Sequence, residues 1–102
     1  MDRRLQLQKR LEEILGSRNV YFQPPNDLVL KYPCIVYHLE GGTTRFADNN
    51  PYRFNKRYQV TYITRDTRET EIPEKLAMMH MTTLNNWNAT NGLNHYNYTT
   101  YM

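Results

Sequence analysis

Cys34 and His38 are the first pair to weigh for chemistry. They stand four residues apart in the β-prone run 33–39 and so share one strand face, as a thiolate with its imidazole base, or half of a metal site, requires. His80 and His95 are the remaining imidazoles. No second cysteine, no His-Glu-x-x-His and no carboxylate at matching spacing completes a ligand set or orients a base, so Cys34 reads as a small core residue. The carboxylates form no catalytic pair: Glu12 and Glu13 are neighbours on a helix and point apart, while Glu69, Glu71 and Glu74 flank a helix start, where the macrodipole accounts for them. Gly41-Gly42 is not followed by the Lys and Ser or Thr of a phosphate loop. These residues argue for a non-enzyme with no cofactor and no metal.

Contact is better represented than chemistry. Between Arg45 and Arg68 six Lys or Arg (Arg45, Arg53, Lys56, Arg57, Arg65, Arg68) face Asp48 and Asp66, a local excess of four positive charges. In the same stretch Phe46, Tyr52, Phe54 and Tyr58 interleave rings with the cations. Such a pattern stacks bases and neutralises phosphates, and it is equally the composition of protein interfaces. The whole-chain charge of +3, from 13 basic and 10 acidic residues, is small beside that of dedicated nucleic-acid binders. From Leu76 to Met102 there is no Asp, Glu, Lys or Arg, and Asn, Thr and Tyr supply the polarity. Tyr96, Tyr98 and Thr100 share one face of the last predicted strand. Either that sheet is packed under helices on one side and half wet on the other, or an identical neighbour covers it.

The elements that position these residues follow from periodicity. Leu7, Leu11, Ile14 and Leu15 recur at i, i+4, i+7 and i+8, which predicts a helix over residues 2–15, with Asp2 at its positive end and Gly16 at its stop. Val20-Tyr21-Phe22-Gln23 is a short edge-strand candidate closed by Pro24-Pro25. Two strands are predicted at 33–39 and 58–64, joined by a polar, basic stretch from 40 to 57 that is too long for a tight turn and predicts an exposed hairpin arm. A charged connector leads to a second helix with Pro73 in its first turn and a stripe of Ile72, Leu76 and Met79. Runs at 81–87 and 93–101 form a last strand pair around a turn containing Asn91-Gly92. The predicted fold is therefore α+β: a mostly antiparallel sheet with two helices packed on one face and a long exposed β-hairpin arm.

At 102 residues the chain is expected to form one domain, 1–102, with a modest core that oligomerisation would help to stabilise. A single cysteine excludes an intrachain disulfide and suits a reducing cell interior or a virion. No apolar run approaches membrane-spanning length, and the basic start lacks the apolar core of a signal peptide. Asn88-Ala89-Thr90 and Asn97-Tyr98-Thr99 then read as chance matches to the glycosylation pattern.

With these elements in place the chain resembles the tail terminator proteins of long-tailed bacteriophages, the small neck proteins that cap a finished tail tube. Three stretches carry the resemblance, which spans nearly the whole chain in element order. The first is the helix ending at Leu15-Gly16 with Val20-Tyr21-Phe22-Gln23-Pro24-Pro25. The second runs from Tyr32-Pro33-Cys34-Ile35-Val36-Tyr37 through Phe46-Ala47-Asp48-Asn49 and Pro51-Tyr52 to Lys56-Arg57-Tyr58-Gln59-Val60-Thr61. The third is Gly92-Leu93-Asn94-His95-Tyr96 through Thr99-Thr100-Tyr101-Met102, similar to the closing strand of the lambda-type terminator. The second helix and the stretch before the last strand are shorter than in larger members.

The resemblance implies a homo-hexameric ring that stacks on the last ring of tail-tube protein and docks to the head connector or stopper protein, with transient passage of DNA through its lumen and no membrane contact. It implies assembly in the host cytoplasm and residence in the virion neck. The expected subunit or neck interface comprises Arg45, Phe46, Asn49, Tyr52, Arg53, Phe54, Lys56 and Arg57 of the arm, with Tyr96 and Tyr98. A different neck role, head-completion stopper or adaptor, and a small nucleic-acid-binding module using the basic aromatic arm are the alternatives.

Overall fold

A computed structural model describes residues 3–47, 50–65, 71–79 and 81–101, and of 43–47 and 50–55 the backbone alone. Helix α1 spans Arg3–Leu15, strand β1 Val20–Phe22, β2 Cys34–Ala47, β3 Asn50–Thr64, helix α2 Glu71–Ala77, β4 Thr82–Thr90 and β5 Leu93–Tyr101. The five strands form one sheet in the order β1-β2-β3-β5-β4. β1 is parallel to β2, and every other pairing is antiparallel. The class is α+β, as expected. Asp2, His80 and the connector residues 66–70 lie outside the described residues.

Gly16 closes α1 as the spacing predicts: it takes φ +77° and donates its N–H to the Glu12 carbonyl at 2.9 Å. All four stripe residues, Leu7, Leu11, Ile14 and Leu15, are buried. They pack on the sheet face that carries Ile35, Tyr37, Tyr58, Val60, Tyr62 and Tyr98, and Leu76 of α2 joins the same core. Full burial of each such side chain is worth about 1.5–3 kcal/mol, so this one-sided layer is what a chain of this size has to hold its shape. The turn between β4 and β5 is only two residues long. Asn91 and Gly92 both take positive φ, 54° and 75°, as a twist-matched hairpin requires.

The central strands continue past 33–39 and 58–64 into the stretch expected to form the arm. β2 and β3 pair from Cys34↔Ile63 to Ala47↔Asn50, with register shifts between Leu39 and Gly41 and between Arg45 and Phe46. β1 covers β2 only at Ile35 to Tyr37, and β5 covers β3 only from Arg57 to Thr64. Helix α2 begins two residues before Pro73 and ends at Ala77, short of the predicted 79, and β4 runs to Thr90 instead of 87.

Candidate docking surface

Alternation along the strands sorts the sheet into two faces. The face under the helices is apolar and aromatic. The other carries Val36, His38, Gln59, Thr61, His95, Asn97 and Thr99, of which His38 is exposed and the rest half-buried. Across it side chains bond from strand to strand: Thr61 Oγ1 donates to Asn97 Oδ1 at 2.8 Å, and Asn97 Nδ2 donates to Asn86 Oδ1 at 2.6 Å. Asn85 Nδ2 reaches Thr99 Oγ1 at 2.5 Å. Asn85 and Asn86 both reach this face because the register slips by one residue between Leu84 and Asn86. Pro24, Pro25, Leu28 and Leu30 of the connector between β1 and β2 line an open pocket together with Val36 and His38.

The same slip keeps Leu84, opposite Tyr98, and Trp87, opposite Tyr96, on the helix side. There they are only partly covered. Trp87 is 52% and Leu84 46% exposed, and Met78 and Met81 beside α2 are 85% and 50% exposed. Tyr96 bridges this rim to the core, its ring 6.4 Å from that of Trp87 and 5.9 Å from that of Tyr62. β4 forms the outer edge, with all but its first residue exposed.

The two ends of the sheet are closed differently. At β1, Gln8 of α1 donates from Nε2 to the Val20 carbonyl at 3.1 Å and accepts from the Tyr37 hydroxyl at 2.5 Å. Arg4 donates to that hydroxyl at 3.3 Å and lies over the Phe22 ring at 4.7 Å. Nothing comparable caps β4 among the described residues.

The residues expected to form an interface are only partly brought together. Tyr98 is a correction: it is 1% exposed and its hydroxyl donates to the Pro73 carbonyl at 2.9 Å, so it belongs to the core and is not available to a partner. Burial, then the neighbouring Tyr96 and Tyr62, push its hydroxyl up to about 12. Tyr96 is half-buried and reaches the rim. Lys56 is exposed, whereas Arg57 is held by Glu40 in a half-exposed ion pair at 3.5 Å, with its guanidinium 2.9 Å from where a Cβ on Gly41 would stand. Asn49 and the side chains of Arg45, Phe46, Tyr52, Arg53 and Phe54 lie outside the described residues. Trp87, Leu84, Met78 and Met81 did not enter the predicted interface; the lack of charge from Leu76 onward was their only signal.

Catalytic geometry does not assemble around Cys34. The thiol is fully buried and desolvation pushes it up to about 11, so it is protonated at neutral pH, while His38 four residues on is exposed. His95 Nδ1 is buried without a hydrogen-bond partner among the described residues. Among the described residues no group of three His, Cys, Asp or Glu is placed to hold a metal ion, and no helix is long and apolar enough to cross a membrane.

Comparison with known proteins places nothing beside this chain: no family model, no curated protein and no solved structure matches it.

Proposed function

We propose that the chain is a structural virion protein of the tail terminator type, which caps the phage tail tube as a ring, stops its polymerisation and joins the tail to the head connector. The observation that carries this reading is the element order. A helix closed by glycine, a short edge strand, two long paired strands, a short helix and a closing hairpin follow one another along the stretches that carry the resemblance. The surface supports docking over catalysis, with exposed Trp, Met and Leu at one sheet edge and a buried, protonated thiol where a nucleophile would have to be. Under this reading the protein has no catalytic role. Its partners are identical subunits, the tail-tube protein and a neck protein, and the distal β2–β3 hairpin meets a neighbour in the ring or neck.

The experiment is native mass spectrometry of the protein with and without tail-tube protein, together with tail lengths measured in its absence. Rings on tube ends and overlong tails in the depleted assembly are expected. A chain that binds no tube end and leaves tail length unchanged is not a terminator.

A further inference from the structure

The β4 edge differs from a typical solvent-facing edge strand. Its nine residues, Thr82–Thr90, hold no charge and no proline, and the strand pairs through β5 alone among the described residues. Edge strands left in water commonly carry Lys or Pro to prevent pairing with another chain. Here the only irregularity is the slip at Asn85, which leaves Asn86 to Thr90 in regular register. The edge is lined on one side by Trp87, Leu84 and Met81, half exposed, and continues into Met78. Trp and Met are the residues that interface centres favour.

We infer that this edge is covered by a second copy of the chain, β4 against β4, antiparallel about a two-fold axis. Charge selects the occupant. A nucleic acid needs cations, and none occurs between Leu76 and Met102. A charged peptide would lose its hydration against a surface with no counter-charge to replace it. Two copies of a chain with net charge +3 repel except where they approach through uncharged surface, and β4 is the long uncharged edge that each brings. The β1 edge is a poor complement: it is three residues long and the Val20 carbonyl is already taken by Gln8. A contact of this kind closes at two copies, so the pair is a state of the free chain, distinct from the tail-cap ring and independent of that reading.

Sedimentation velocity and native mass spectrometry of the free protein across micromolar concentrations test it. A species of twice the 12.3 kDa chain mass is expected, with slowed amide exchange in β4 as concentration rises. Leu84→Lys and, separately, Trp87→Lys should each weaken pairing at least tenfold, while Val29→Lys, at a site 84% exposed elsewhere, leaves it unchanged. Circular dichroism confirms that each variant folds. A wild type that stays monomeric, or a dimer that survives both β4 lysines, overturns the inference. Dimerisation without tube-end binding would remove the tail-cap reading and keep this one; tube capping by a protein that is monomeric when free would do the reverse.

Discussion

The two edges of the sheet are built on opposite principles. β1 is short, is laid parallel to β2 and is overlaid by α1, whose Gln8 and Arg4 occupy its carbonyl and its aromatic neighbours. β4 is three times as long, antiparallel and exposed at every residue but its first. The difference shows where the chain spends its helices: α1 packs over β1 and β2, while α2, seven residues long, meets β5 and β4 but leaves Leu84 and Trp87 half exposed. A sheet with one capped and one open edge is prepared for contact in one direction.

Four changes would break or sharpen this contrast. The largest effect is expected from Leu11→Ala. The residue is fully buried where α1 meets the sheet, and truncation should cost about 2–5 kcal/mol in urea unfolding and release the cover over β1. A cost below about 1 kcal/mol would mean that the helix does not hold that edge. Gln8→Ala should cost about 1–3 kcal/mol, because it leaves the Val20 carbonyl and the Tyr37 hydroxyl short of a partner, and hydrogen exchange should rise at β1 and not at β4.

Tyr98→Phe comes third, at about 1 kcal/mol near neutral pH for the lost bond to Pro73. Its pH dependence is more telling. The folded hydroxyl titrates near 12 against about 10 in the unfolded chain, so the folded state holds the proton more tightly. The stability this provides is complete below pH 10 and is lost as pH rises through 12. Denaturation curves of wild type and Tyr98→Phe should therefore converge over that window, and a constant gap would place the hydroxyl in water. The smallest effect on the single chain is that of Trp87→Lys at high dilution, within about 0.5 kcal/mol of wild type by thermal unfolding. A large loss there would show that Trp87 supports the monomer's own core.

Much of the fold could be read from local pattern, since periodic segments announce their own partners. The stripe of Leu7, Leu11, Ile14 and Leu15, the Gly16 stop, the Asn91-Gly92 turn and the alternation of Ile35 and Tyr37 all state a face or a stop within a few residues. Strand ends were legible only as a hairpin arm over 40–57, without their bounds. Gly41, Gly42, Asn55 and Pro51 disfavour strand individually, yet all lie in paired register, because pairing between two long partners outweighs intrinsic preference. Tyr98 was misassigned because alternation groups Tyr96 with Tyr98 but cannot say that α2 reaches the second and not the first. The Trp87 rim was hidden for another reason. Strict two-residue alternation puts Leu84 and Trp87 on opposite sides, and only the slip at Asn85 reunites them.

That slip sets a rule for how the gene can vary. Losing the codon for Asn85 would remove the slip, leave Leu84 and Trp87 two residues apart on the helix side, and cost only the Asn85 to Thr99 side-chain bond. Losing a codon among 88–90 instead would use up the slip and carry Trp87 opposite His95, on the polar side. Lineages carrying the protein should therefore tolerate the loss of a residue at the slip far better than the loss of one at 88–90.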